Sequence, residues 1–271
     1  MKQALEEGQA LKEEKQPAAF RPLILVTNDD GIEAPGIRHL VRLMSRLGEV
    51  WVVAPQKGRS GMGHAITINN ILTYRECPPR DGAVREFACS GTPADCVKLA
   101  KNELLERLPD LCVSGINHGS NAAINVIYSG TMAAALEGGI EGIPSAGFSL
   151  CDHDPSMDLS PLDETILHLC TRMLEQGLPA ETVLNVNFPT GPIKGAKLCR
   201  QAKTRWAQEF ERRAFPRGED SYFWLVGQPV CMDTGEDSDE WALAHGYASI
   251  VPITFDLTAY RAMDSLRDWE L

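Results

Sequence analysis

Short apolar, β-prone runs recur along the first 190 positions, at Leu23–Val26, Val50–Ala54, Leu111–Val113, Ile143–Leu150 and Val183–Asn187. Runs of this length with little alternation fit strands covered on both faces, as in a parallel sheet between helical layers. Between them the period changes to that of a helix. Ile37, Leu40, Val41, Met44 and Leu47 share one helical face, with Pro35 near its start and Gly48 at its stop. Residues 23–54 therefore predict a βαβ unit with a right-handed crossover. Thr92 followed by Pro93 predicts a helix start, and the apolar face Ala94, Val97, Leu104 and Leu108 carries that helix to about Arg107. An Ala-rich helix is expected over Met132–Ile140, and Ile166, Leu167, Cys170 and Leu174 mark another.

Elsewhere the pattern shortens. Pieces at Ile66–Ile68, Ile71–Tyr74 and Glu86–Ala88, with a Pro-Pro-Arg-Asp-Gly turn at 78–82, predict a small hairpin excursion rather than another βα unit. Residues 195–235 carry β-prone segments and the aromatic residues Trp206, Phe210, Tyr222, Phe223 and Trp224. A helix at Asp237–His245, a strand at Tyr247–Ile253 and a terminal helix or tail over Leu257–Trp269 follow. The chain thus divides into an N-terminal arm (1–20), an α/β core (21–190) and a C-terminal β-rich region (191–271), whose β segments make a lone monomer an unfavourable expectation.

Composition narrows the class. A formal net charge of −11 argues against a nucleic-acid polymer or an anionic membrane as partner. No apolar stretch is long enough to span a bilayer, and the first twenty residues lack the apolar core of a signal peptide. The eight cysteines include no Cys-x-x-Cys pair, which predicts reduced core thiols in a cytoplasmic protein rather than zinc ligands or disulfides.

The candidate chemistry sits at the ends of the predicted strands. Thr27-Asn28-Asp29-Asp30-Gly31 places two adjacent carboxylates after the first strand; such a pair repels itself unless a cation lies between, and the same residues also make an ordinary tight turn. A glycine-punctuated loop at 55–64 carries Ser60 after the second strand. Asn117 and Asn121 follow the 111–113 run, with amide oxygens suited to a hard cation. Ser129-Gly130-Thr131 opens the Ala-rich helix, where free N–H groups form an anion site and Ser129 serves equally as a plain N-cap. Asp152-His153-Asp154 reads as a solvated turn, and His64 and His118 as hydrogen-bonded structural residues. Parallel strands deliver their carboxyl ends to one edge, so these clusters could share a crevice.

Taken together and in order, the motifs resemble the SurE family of metal-dependent survival-protein nucleotidases. The matching residues are Thr-Asn-Asp-Asp-Gly (27–31), Ala-Pro with Arg-Ser-Gly (54–61), Ser-Gly-Thr-Pro-Ala-Asp-Cys-Val (90–97), Ser-Gly-Ile-Asn-x-Gly-x-Asn (114–121) and Tyr-Ser-Gly-Thr (128–131). Similarity extends through Asn185-Val186-Asn187 to Gly-Tyr-x-Ser-Ile (246–250). The resemblance implies a Rossmann-like three-layer α/β core with a mostly parallel sheet, plus a smaller C-terminal β-rich part exchanged between subunits of a homodimer or homotetramer. It implies hydrolysis of nucleoside monophosphates by water activated on one magnesium or manganese ion per subunit. Carried over by motif, Asp29, Asp30, Ser60 and Asn117 would hold the metal, with Asp29, Asp30 and Asn117 catalytic. Asn121, Ser129, Gly130 and Thr131 would face the phosphate. The chain departs from the family at 237–241, Asp-Ser-Asp-Glu-Trp, where relatives show a Thr-Asp pair. A phosphoaspartate mechanism would want Asp-x-Asp spacing, and a dinucleotide-binding oxidoreductase a Gly-x-Gly-x-x-Gly turn; the chain has neither after its first strand. A non-catalytic nucleotide-binding protein on the same fold is the competing expectation.

Overall fold

In the computed structural model, residues 21–217 and 220–269 are described. The expected arm, 1–20, lies outside them. The chain opens with β1 (Leu23–Thr27), α1 (Pro35–Met44) and β2 (Glu49–Pro55), the βαβ unit expected from its period. Next come β3 (Tyr74–Cys77), β4 (Arg85–Cys89), α2 (Pro93–Leu99), β5 (Leu111–His118), α3 (Gly130–Ile140), β6 (Ser145–Leu150), α4 (Asp163–Gln176) and β7 (Thr182–Phe188). The C-terminal region adds β8 (Ala196–Leu198), β9 (Thr204–Ala207), β10 (Phe210–Ala214), β11 (Ser221–Leu225), β12 (Gln228–Cys231), α5 (Asp239–Ala244), β13 (Ala248–Thr254) and α6 (Tyr260–Leu266).

Nine strands form one sheet in the order β3-β4-β2-β1-β5-β6-β7-β13-β8. The six from β4 to β7 run parallel, while β3 and β13 are antiparallel to their partners β4 and β7. Both faces are covered. Ile24 and Val26 of β1 pack with Ile37, Leu40, Val41 and Met44 of α1 and with Ile166 and Cys170 of α4. Leu25 turns to the other face, against Cys96 and Val97 of α2 and Ala134 of α3. The layers are therefore helix, sheet, helix, and β1 lies at the middle of the core. Two further antiparallel pairs, β10 with β11 and β9 with β12, stand outside the main sheet.

Three local expectations change. A hairpin forms, but of β3 and β4 with Ile71–Thr73 outside any strand, and β4 pairs in parallel with β2, so the excursion returns to extend the main sheet. Ile66 and Ile68 are exposed and outside any strand, because no partner strand reaches them. The helix begun at Thr92 keeps α geometry only to Leu99 and closes with a π-helical turn at Ala100–Leu104, short of Arg107. Its start matches the capping chemistry: the Thr92 hydroxyl accepts from the Asp95 N–H at 3.1 Å, and the Asp95 carboxylate accepts from the Thr92 N–H at 2.9 Å. At the departure in 237–241, Ser238 caps α5 by accepting from Trp241 N–H, and Asp239 accepts from the N–H groups of Ala123 and Ala202, tying the region to the core.

Gly36 lets α1 lie directly on β5. A Cβ there would stand 1.9 Å from the Ile116 carbonyl oxygen, a backbone atom that cannot swing away. In an open helix Gly→Ala stabilises by about 1 kcal/mol; here Gly36→Ala should instead destabilise by about 2 kcal/mol or more, measured by urea unfolding.

Candidate active site

The strand order reverses about β1, with β2 on one side and β5 on the other, and open α/β sheets bind ligands beyond the carboxyl ends of strands at such a point. A cavity of about 810 Å³ occupies this place. Asp29, Ser60, Asn117, Asn121 and Ser129 line it from the sheet edge, and Trp206, Glu209, Leu225, Val226 and Pro229 line it from segments far along the chain.

Asp29 is the buried centre. The turn after β1 is closed by Asn28, whose side-chain amide donates to the Gly31 carbonyl at 2.9 Å, and Gly31 takes a φ of +98°. Tight turn and carboxylate pair are thus the same structure. The Arg59 N–H donates to the Asp29 carbonyl at 2.7 Å, which binds the 55–64 loop to this turn and brings Ser60 to the cavity. The Thr131 hydroxyl donates to Asp29 Oδ1 at 2.5 Å, and the Thr131 backbone adds a second hydrogen bond. Gly130 permits this approach, since a Cβ there would sit 2.7 Å from Asp29 Cβ. Burial pushes the Asp29 carboxyl up to about 6; the Thr131 hydrogen bond opposes the rise and the Asp30 charge adds to it.

Asp30 lies beside this centre, its Oδ2 3.4 Å from the His118 N–H and 3.8 Å from His118 Nδ1. A register shift between Ser114 and Asn117 breaks the β5–β6 ladder and re-aims Asn117 at the strand end. Its amide nitrogen donates to the Gly119 carbonyl at 2.8 Å, which leaves Oδ1 without a hydrogen bond among the described residues. Asn121 is fixed by a buried amide network. Its Nδ2 donates to Ser149 Oγ, its N–H to Asn187 Oδ1, and its carbonyl accepts from Asn185 Nδ2, all at 2.8–2.9 Å. Ser129 caps α3 by accepting from Met132 N–H at 3.0 Å and still lines the cavity, so its hydroxyl hydrogen remains to donate outward.

Of the expected site residues, Asp29, Ser60, Asn117, Asn121 and Ser129 meet on the cavity, and Asp30 adjoins it through His118. Gly130 and Thr131 lie behind Asp29 instead: the Thr131 hydroxyl, expected to face a phosphate, is engaged by the buried carboxylate, which needs donors. The amide network escaped the sequence reading, although Asn185 and Asn187, two apart in an otherwise apolar strand, point to one face and could have signalled it. The outer wall from Trp206 to Pro229 also escaped, as its strands carry no burial pattern. Asp152 and Asp154 do form the expected turn, but His153 between them reaches the cavity. His64 is held by the Glu137 carboxylate, which also binds Lys98.

The donor set fits a hard divalent cation. The atoms offered are carboxylate, amide and hydroxyl oxygens, while no cluster of three His, Cys, Asp or Glu exists among the described residues. The cavity lining holds Asp29 and Glu209 and neither Lys nor Arg, so an anionic ligand needs a cation to enter.

These features define a Rossmann-like α/β protein with a carboxylate- and amide-lined cavity at the sheet's switch point. The family model "Survival protein SurE" matches residues 24–208, and the chain belongs to the SurE family. The 5′-nucleotidase SurE of Flavobacterium johnsoniae is 57% identical over 254 residues, covering 93% of this chain and 98% of that protein. The protein of the same name from Flavobacterium psychrophilum is 56% identical over an equal span. The crystal structure of the SurE protein from Aquifex aeolicus superposes with a TM-score of 0.79 at 36% identity, covering 92% of this chain and all of that one.

A carboxyl that holds its proton more tightly folded than unfolded favours the fold below about pH 4, and the contribution is lost as pH rises through about 6. Above that pH the metal-free protein carries a buried charge costing on the order of 3 kcal/mol. Asp29→Asn should therefore raise the melting temperature of chelator-treated protein at pH 8. Manganese should raise that of the unsubstituted protein and leave the variant's unchanged, read by differential scanning fluorimetry.

Proposed function

We propose that the chain is a divalent-metal-dependent phosphohydrolase that releases phosphate from nucleoside monophosphates. The observation that carries this reading is the convergence of Asp29, Ser60, Asn117 and Asn121 on one cavity without a lining Lys or Arg. Asp29, Asp30, Ser60 and Asn117 would hold one magnesium or manganese ion per subunit. When bound, the ion supplies a Lewis acid for a phosphoryl oxygen and eases loss of a proton from water.

The remaining work falls to the chain. Asn121, immobilised by Ser149 and Asn187, and the hydroxyl of Ser129 would donate to phosphate oxygens and hold phosphorus in line for attack. Trp206, fixed by its Nε1–H donating to Asn125 Oδ1 at 3.1 Å, would cover the nucleoside together with Leu225, Val226 and Pro229 and limit water around the reacting group. Region 191–271 would join subunits into a homodimer or homotetramer, since Phe210, Phe223, Trp224 and Leu225 on β10 and β11 and Tyr260 and Met263 on α6 are exposed. The eight free cysteines, six of them buried, fit a reducing cytoplasm, and no helix among the described residues is long and apolar enough to cross a membrane.

Phosphate release from AMP and GMP with magnesium or manganese, before and after chelation, tests the activity. Asp30→Asn and Asn117→Ala should each lower kcat/KM by about 100-fold or more while circular dichroism and melting in chelator stay near the parent's. Nucleotide binding without turnover in every metal would show a binding module instead.

A further inference from the structure

Hydrolysis of a nucleoside monophosphate expels a ribose alkoxide, a strongly basic leaving group that departs far more easily if it receives a proton as the bond to phosphorus breaks. The groups already placed do not supply that proton. Asp29 is engaged by Thr131. Among the imidazoles, His39 is bound to Asp163, His64 to Glu137 and His245 to the Trp241 carbonyl, and none of them lines the cavity. His118 lines it but is turned away from solvent: Nδ1 faces Asp30, and Nε2 is buried without a hydrogen-bond partner.

His153 differs from all of these. It stands on the loop after β6, is exposed, lines the cavity with Asn117, Asn121 and Ser129, and has no hydrogen-bond or ion-pair partner among the described residues. Its ring lies over Gly119, where a Cβ would come within 2.6 Å of Cε1 and 3.0 Å of Nδ1. Gly119 is also the residue whose carbonyl receives the Asn117 amide. The bare Cα of Gly119, with a φ of +122°, thus lets an uncommitted imidazole come next to the residue that presents Asn117.

We infer that His153 is the proton donor to the leaving ribose oxygen of the nucleotide substrate. The inference rests on the phosphohydrolase reading above. In the step, a water oxygen forms its bond to phosphorus as the bond from phosphorus to the ribose oxygen breaks. The protonated imidazole gives its ring proton to that ribose oxygen, so the nucleoside leaves as a neutral alcohol. The attacking water loses one proton to solvent, hydrogen phosphate is released, and solvent reprotonates the imidazole. Imidazole suits the role because a ring nitrogen can carry a donatable proton and recover it from solvent.

The test compares two esters on the manganese-loaded enzyme. AMP needs a protonated leaving group; p-nitrophenyl phosphate expels a phenolate that is stable without one. His153→Gln and His153→Ala should lower kcat for AMP by about 100-fold or more and change that for p-nitrophenyl phosphate by less than about threefold, with unchanged melting temperature. A substitution that merely disturbed the cavity would slow both esters together. Equal loss on the two esters, or no loss on AMP, in an otherwise active enzyme overturns the role of His153 alone. An unsubstituted chain that frees phosphate from neither ester overturns the phosphohydrolase reading and this inference with it.

Discussion

The constraint on which the site depends is the placement of a carboxylate inside the fold beside a second one. Asp29 is almost wholly buried, Asp30 follows it directly, and Thr131 is the one side chain that donates to Asp29 Oδ1 among the described hydrogen bonds. A buried anion without a countercharge is costly, and an isolated one ordinarily stays protonated. Everything around Asp29 reads as accommodation of that cost. Gly130 lets the positive end of α3 come up against the carboxylate, Thr131 gives it hydrogen bonds, and Asn28 and Gly31 hold the turn that carries it. The residual deficit of positive charge is what a bound cation would offset.

The same economy of charge explains why the polar residues of the site are so often amides. Asn121, Asn185 and Asn187 can orient one another through paired donors and acceptors without adding charge to a region that already holds two carboxylates. Their network ties Asn121, on the loop after β5, to β6 and β7, so its position is set by the register of those two strands as well as by its own loop. An ion-pair network does a comparable job at the far side of α1. There the fully buried Glu86 receives Arg38 and Arg80, a charged cluster none of whose members lines the cavity.

The parts legible in the sequence are those governed by local physics. The buried strand at Leu23–Val26, the apolar face of α1, the Thr92 cap and the turn at Asn28–Gly31 all follow from spacing or from side-chain-to-backbone chemistry a few residues apart. Asp29, Ser60, Asn117 and Asn121 could be nominated because each lies at or shortly after the end of an apolar run, and a parallel sheet gathers such ends. What stayed hidden depends on distant chain. The return of β4 to the main sheet is decided by pairing with β2, not by the hairpin itself. The engagement of Thr131 by Asp29 joins residues 102 positions apart, and nothing in Ser-Gly-Thr distinguishes a phosphate contact from a support for a buried acid. The Trp206–Pro229 wall is built by exposed strands, whose sequence lacks the alternation that burial imposes.

The order of strands at the C-terminal edge bears on how the protein can be made. β13 lies between β7 and β8 although both of these precede it in the chain. A ribosome therefore delivers the two outer members well before the one that fits between them, and the edge of β7 stays bare throughout that interval. Strand edges left open in this way invite mispairing with other nascent chains. Completion of this edge of the sheet accordingly waits on β13, the last of its strands to be made.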